Sequence, residues 1–413
     1  MSTRQENLPV ENTQPADRTK FDVAVICALR CESDAVETIF DEFWEDDKKS
    51  YGKASKDPNS YLLGRVGQHN VVLVYMAGIG KVNSAAAAAH LFASFPNIRL
   101  GLVVGICGAM PQPTDGNTEI FLGDVIVSTG LVQHDFGRQL PNRFIRKDTI
   151  NDNLRRPTSE IRSFLRQLCS RRGHTILHKE LHSFIMDIYS EKGFENWTAP
   201  PREEDKLYRA SYPHIHHDPT GCIVCGISAE GQISICDVAL ELSCEQLGCD
   251  ERELELRKDV RNDLKSTEHG SLMAPKIHFG RIASGDSVMK SALHRNQVAM
   301  REGVYGFEME GAGAWDNFPV IVVKGVCDYA DSHKNKRWQN YASIVAAATA
   351  KALLCQWRGI DGTSVLSDSA KLEMNPKNKG VRDYRDDGVT FINYGRVSNQ
   401  AASQTFNQSV TFH

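Results

Sequence analysis

Two glutamates flank a methionine inside the apolar stretch "GFEMEGAG" (306–313): Glu308, Met309 and Glu310. A buried carboxylate is costly unless something pairs with it. These are therefore either satisfied structural acids or acids facing a ligand with hydroxyls or positive charge. A carboxylate accepts two hydrogen bonds from a vicinal diol, which suits Glu310 to the 2′- and 3′-hydroxyls of a ribose. Two more acids lie where apolar stretches end, Glu32 in "ALRCESDAV" and Asp328 in "VCDYAD". Cleaving an N-glycosidic bond requires protonation of the leaving base and a nucleophile on the opposite face of the sugar. Two carboxyl groups in different environments can divide that work. Asp328, ending a hydrophobic strand, is the candidate acid, and Glu32 the group to orient and deprotonate water. Taken singly, Glu32 or Asp328 reads as a helix-start carboxylate or a solvated loop acid; three together favour a site.

The elements that must position these acids are legible. "FDVAVICAL", "NVVLVYMAG", "LGLVVGICG", "GDVIVSTG", "IHFGRIASG" and "FPVIVVKGVCD" are too apolar for half-exposed strands and suit a largely buried sheet covered by helices on both faces. "KVNSAAAAAHLFASF" and "NYASIVAAATAKALLCQW" supply helices, the second with apolar residues at three- and four-residue steps. The alternation predicts an α/β fold, a three-layer sandwich around a central mixed β-sheet. In such sheets ligands collect beyond the carboxyl ends of the strands. Several of those ends carry small residues that let a backbone approach a ligand, including Ala77, Gly78 and Gly108. Residues 1–20 read as a disordered leader and 21–360 as the catalytic domain. Within that domain a polar insertion with some helix runs over roughly 136–275. Residues 361–413 form a linker and an Asn/Gln-rich tail that either stays disordered or forms strands and pairs with other chains.

Composition narrows the class. The 413 residues are 41% hydrophobic and 24% charged with a formal net charge of −4, giving no basic footprint for nucleic acid or an anionic membrane surface. The first residues lack an apolar signal region, and no run is long and apolar enough to span a bilayer. Eleven cysteines, several within apolar runs, fit reduced thiols and a cytoplasmic location. The expected partners are a small molecule carrying a ribose diol and further copies of the chain, with the tail available for protein contacts and no organic cofactor required.

The motifs "FDVAVICALRCE", "MAGIGKVNSAAAA", "VVGICGAM", "GDVIVSTGLVQHDFG", "IHFGRIASGDSVMK", "FEMEGAG" and "IVVKGVCDYADSHKNKRWQNYA" together resemble the nucleoside phosphorylase/nucleosidase superfamily. The similarity is greatest to fungal nucleoside phosphorylase-like domains, such as those at the N-termini of fungal NLR-type proteins. It covers most of residues 21–357, and the ordered set is far more specific than any one piece. Carried over from the methylthioadenosine nucleosidase branch, the resemblance implies that Glu32 handles water and Glu310 holds the ribose with Met309 beside the sugar. It further implies that Asp328 protonates purine N7 and that Val288 and Met289 shape the base pocket. Glu308 reads as structural or as a further sugar contact. Hexameric phosphorylases carry an arginine before a "G-S-C-G" turn and a serine within it. Here Val103 and Ile106 stand at those positions. A phosphate beside Glu32 without that arginine would be repelled, so the resemblance implies hydrolysis, with Arg30 speaking for phosphate. Asp328 implies a 6-aminopurine, because branches confined to 6-oxopurines use asparagine there. The expected activity is thus a purine nucleosidase acting on adenosine, ATP or dATP. A phosphorylase, or a non-catalytic ligand sensor acting through its tail, are the alternatives.

Three further signals remain. Lys290, His294, Arg295, His333, Lys334, Lys336 and Arg337 lie near site motifs and are candidates for a 5′-phosphate, the alternative being a solvated basic face. "YPHIHHDPTGCIVCG" offers His214, His216, His217, Cys222 and Cys225, types and spacings that zinc accepts, with His214, His217, Cys222 and Cys225 as the candidate set. A single CxxC makes the absence of a metal the favoured expectation. "GIGKVN" lacks the third glycine of a dinucleotide fingerprint, having Asn83 there, and is set aside.

Overall fold

A computed structural model describes residues 14–44, 51–116, 118–141, 143–218, 222–228, 233–257 and 274–358. The chain divides into Met1–Gly359 and Ile360–His413. The second unit, with the expected β-pairing tail, lies outside the described residues, as do residues 1–13. The described chain starts earlier than the expected leader boundary: Asp17 caps a 3-10 turn over Arg18–Lys20, and Phe21 is fully buried behind it.

The six apolar stretches are strands of one mixed sheet. In chain order its members are β1 (Val23–Cys27), β2 (Glu42–Phe43), β3 (Ser60–Val66), β4 (His69–Tyr75), β5 (Leu100–Ala109) and β6 (Val125–Gln133). After the β7–β8 hairpin (Gly137–Leu140, Arg143–Arg146) and the short β9–β10 pair (Gly226–Ile227, Ile233–Ser234) come β11 (Ile277–Ser284), β12 (Val304–Glu308) and β13 (Val320–Asp328). The order is β12-β11-β6-β13-β5-β1-β4-β3-β2. β12 also pairs with β5 through Gly306 and Phe307, so β5, β13, β6, β11 and β12 close into a ring. Periodicity could not reveal that closure, because it depends on which strand ends meet. Five pairings of the sheet are parallel, while β13 with β6, β12 with β5, β3 with β4 and β2 with β3 are antiparallel.

Helices cover both faces. On one side lie α1 (Arg30–Glu37), α3 (Ser159–Leu168), α4 (Arg171–Ser190) and the C-terminal helix α8 (Gln339–Gln356). On the other lies α2 (Lys81–Ser94), with the short α7 (Gly311–Ala314) against it. Helices α5 (Cys244–Leu247) and α6 (Ala292–Glu302) lie outside these layers in sequence, α5 in the insertion and α6 before β12. Helix α8 is buried almost all round, as an Ala-rich helix between a sheet and other helices must be. The insertion proves less separate than its composition suggests: Leu177, Leu181, Ile185 and Ile188 of α4 join the same apolar core as α8. Among the described residues no helix is long and apolar enough to cross a membrane.

At Gly325 the backbone of β13 meets α8 so closely that a Cβ would stand 2.0 Å from the Ala342 carbonyl oxygen. Backbone cannot move aside as a side-chain tip can. Gly325→Ala is expected to cost at least about 1–3 kcal/mol through overpacking, measured by urea unfolding; a stability equal to wild type would refute this account of the α8 contact.

Candidate active site

The site forms where β1, β5, β12 and β13 end. β1 runs into α1, whose N-cap is Leu29, a residue with no side-chain acceptor. Glu32 in the first turn fills that role. Its Oε2 accepts from the Ala28 and Leu29 amides at 2.9 Å each, and its Oε1 accepts from the Ile106 amide of β5 at 2.8 Å. Gly105 permits this, since a Cβ there would lie 2.0 Å from Glu32 Oε1. Glu308 ends β12 and accepts from the Glu310 and Gly311 amides at 2.8–3.1 Å, capping α7. Its side chain is wholly buried, which favours the structural half of the expectation. Glu310 follows, its Oε1 accepting a long 3.3 Å contact from the Gly80 amide at the start of α2.

The residue that joins these acids is Lys324, in the middle of β13. Its side chain is 1% exposed, and Nζ donates to Glu310 Oε2 at 3.0 Å and stands 3.8 Å from Glu308 Oε2. Burial opposes its charge, yet Glu310, Glu32 and Glu308 outweigh that penalty and raise the ammonium above its ordinary value. Burial pushes Glu32 above the ordinary carboxylate range against the pull of Lys324, and the charge of Glu310 adds to the rise. Glu308 is likewise raised, chiefly by burial. For Glu310 burial acts upward too, but the charge and hydrogen bond of Lys324 prevail and hold it below the usual value. One buried cation thus separates neighbouring carboxyls into different protonation preferences, the arrangement acid–base chemistry needs. Lys324 was absent from the candidates named from sequence. Its signal was there: a single lysine in the otherwise apolar "FPVIVVKGVCD" demands buried partners.

Asp328 occupies the end of β13 beside Gly108, where a Cβ would lie 2.5 Å from its Oδ1. Oδ1 accepts from the Ala330 amide at 2.8 Å, and Lys334 Nζ approaches Oδ1 at 3.2 Å and Oδ2 at 3.3 Å. The candidate acid at the end of this hydrophobic strand is therefore ion-paired, and Lys334 is committed to it. The other candidate cations sort differently too. Arg295 is buried and donates to the Tyr329 carbonyl at 2.6 Å, with Asp331 at 3.7 Å, so it braces the loop after β13. Arg337 pairs with Glu204. Lys290, His294 and Lys336 are exposed. Val288 is 52% exposed and Met289 buried, so of this expected pair only Met289 is enclosed. Met309 is half-buried, Ala77 exposed and Gly78 half-buried. A second cluster also escaped the sequence reading: Lys81 Nζ lies 2.6 Å from Asp135 Oδ1 and 3.5 Å from Asp286, tying α2 to the ends of β6 and β11.

Residues 22–183 match the family model of the phosphorylase superfamily. An NLR-like protein of the fungus Hyaloscypha variabilis is 33% identical over 346 residues, covering 81% of this chain. The chain spans only 29% of that relative's length. Solved structures with similar coordinates include futalosine hydrolase of Helicobacter pylori, with 14% identity, TM-score 0.43, and coverage of 82% of this chain and 99% of that one. Another is a 5′-methylthioadenosine/S-adenosylhomocysteine nucleosidase from Neisseria meningitidis, at 14% identity and TM-score 0.43, covering 81% of this chain and 99% of that one.

Removing the central cation strands three buried carboxylates. Lys324→Met is expected to lower stability by about 3–5 kcal/mol, whereas Lys334→Met, at a partly exposed pair, should change it by less than about 1 kcal/mol. Equal effects in denaturant titrations would remove Lys324 from the centre of the site.

Proposed function

We propose that this domain is a purine nucleosidase that hydrolyses the N-glycosidic bond of adenine nucleosides or nucleotides. The observation that carries the reading is the gathering of Glu32, Glu308 and Glu310 around Lys324 in the middle of β13, the strand that ends at Asp328. Glu310 retains lone pairs beyond those used by Lys324 and the long Gly80 contact, so it can take a ribose diol. Glu32 spends about three of its roughly four acceptor sites on backbone amides, leaving one for a water molecule. Its raised proton affinity makes it a better base than an ordinary glutamate. Asp328, in its protonated form, would give its proton to the departing base and be left as carboxylate, and Lys334 must release it before purine N7 can approach.

Water rather than phosphate is supported by three residues. Val103 is buried in β5, the Ile106 amide is spent on Glu32, and the Arg30 side chain is 92% exposed and pairs outward with Asp34 at 3.4 Å. The cations within the site are already paired with carboxylates, so an incoming phosphate would have to break those pairs. The nucleotide-binding, NLR-like relative supports a second role alongside turnover, in which the domain senses nucleotides within a longer protein.

Incubated with adenosine, ATP and dATP, the protein is expected to release adenine at a rate independent of added phosphate. Asp328→Asn should slow release by about 10²- to 10⁴-fold. Ribose 1-phosphate as the main sugar product, or wild-type rates in the variant, would overturn the assignment; binding without turnover would leave the sensor role standing alone.

The base role of Glu32 has a pH signature. A base must be deprotonated, so kcat should fall as pH drops through the value of Glu32, which burial places above the ordinary carboxylate range. The acid limb of the kcat profile is therefore expected above about 4.3. A limb at or below that value would transfer the base role to another group.

A further inference from the structure

Seven histidine and cysteine side chains of the insertion between β8 and β11 come together with His333, from the loop after β13, in two sets of four. His214, Cys244, Cys249 and His333 form one, and His216, Cys222, Cys225 and Cys236 the other; within each set the ligand atoms all lie within 4.8 Å of one another. This corrects the set expected from sequence, which mixed members of both and included His217. His217 instead turns Nε2 to the Pro213 carbonyl at 3.1 Å and stacks on Tyr212. Alternating along the chain, His214 and His216 go to different sets, and the fourth ligand of the first set, His333, is 84 residues beyond Cys249. Local spacing could not disclose that pairing.

We propose that these are two structural zinc sites, one Cys2His2 and one Cys3His, and that the first fastens the insertion to the loop carrying Asp328 and Lys334. Three observations support it. First, the spacing fits a tetrahedral ion. Zn–S bonds of about 2.3 Å and Zn–N bonds of about 2.0–2.1 Å at tetrahedral angles put S and N about 3.5–3.6 Å apart. In the first set Nδ1 of His214 lies 3.7 Å from both sulfurs, and Nδ1 of His333 lies 3.6 and 3.9 Å from them. In the second, His216 Nδ1 lies 3.5 Å from Cys225 Sγ and 3.7 Å from Cys236 Sγ.

Second, the outer partners orient the ligands. His214 Nε2 meets the Leu242 carbonyl at 2.9 Å, and His333 Nε2 meets the Tyr212 carbonyl at 3.0 Å. A carbonyl only accepts, so Nε2 carries the proton in each ring and Nδ1 presents its lone pair to the cluster, as metal-ligating histidines do. Third, each sulfur of the second set accepts a backbone amide, which fixes its position in the cluster. Val224 and Cys225 amides point at Cys222 Sγ, the Cys236 amide at Cys225 Sγ and the Ala239 amide at Cys236 Sγ, each at 3.4 Å.

His333 makes the first site consequential. It stands between Asp331, braced by Arg295, and Lys334, paired with Asp328, and its ring stacks against Tyr208 and Tyr212 of the insertion. A zinc ion there would bind insertion and active-site loop into one body.

The full chain, purified from zinc-supplemented medium, is expected to carry two zinc ions per molecule by elemental analysis. His216→Ala, Cys222→Ser and Cys249→Ser should each lose one, and Cys222→Ser with Cys249→Ser both. His217→Ala and Cys169→Ser, outside both sets, should keep two. Replacement by Co(II) should give the intense visible bands of tetrahedral thiolate coordination, a readout independent of variant folding. Chelation should raise amide exchange in residues 328–337 while β1 and β5 stay protected. Wild-type protein without bound zinc and with these thiols freely titratable or disulfide-linked would overturn the proposal, as would His217→Ala losing an ion that His216→Ala retains. Two bound ions with exchange in 328–337 unchanged on chelation would overturn the fastening of the loop. Each of these readings is independent of nucleoside turnover.

Discussion

One ammonium group organises the interior of this protein. Lys324 is sealed inside β13, where an isolated charge would be untenable, and it persists because Glu310, Glu308 and Glu32 surround it. The dependence is mutual. Those carboxyls are buried as deeply, and without the lysine their mutual repulsion would add to the desolvation each already suffers. The cluster carries more acids than cations, so the charges cannot all be satisfied at once. The cation goes chiefly to Glu310, and Glu32 is left with the greater hold on a proton. That asymmetry separates a sugar-binding carboxylate from a proton-accepting one without any difference in residue type.

The fold serves this cluster by bringing strand ends close together. Glycines stand where side chains would collide with acids: Gly105 against Glu32 and Gly108 against Asp328. Both lie on β5, which therefore acts as a bare backbone wall between the two ends of the proposed chemistry. On the opposite side of β13, Gly325 lets α8 sit directly on the strand, so the lysine's backbone is fixed from behind. Glu32 and Glu308 meanwhile use backbone amides at helix starts, which positions the carboxylates and satisfies amides that would otherwise lack partners.

The insertion is part of the same construction. Helix α4 completes the core under α8, while Asp205 and Arg257 reach Tyr329, the residue after Asp328. With His333 in the His/Cys cluster, the loop that follows β13 is held by the insertion at several points along its length. Its polar composition disguised this, because the contacts are ionic, aromatic and sulfur-based rather than apolar.

The sequence by itself determined six of the nine strands of the main sheet, the two long helices flanking the motifs, and Glu32, Glu310 and Asp328 as acids where strands end, while β2, β3 and β12 were not among the apolar stretches. Those features follow from local patterning: burial on both faces makes a strand uniformly apolar, and an acid after such a run stands out. Tertiary structure alone decided that β12 returns to β5, that Lys324 partners the buried acids, and that Lys334 lies on Asp328 instead of on a solvated face. It also decided which histidine belongs with which cysteines, uniting His214 with His333 across more than a hundred residues and leaving His217 out. The physical reason is common to all of these. Charge pairing and ligand grouping depend on through-space distances of a few ångströms between distant segments, and residue spacing along a chain carries no information about them.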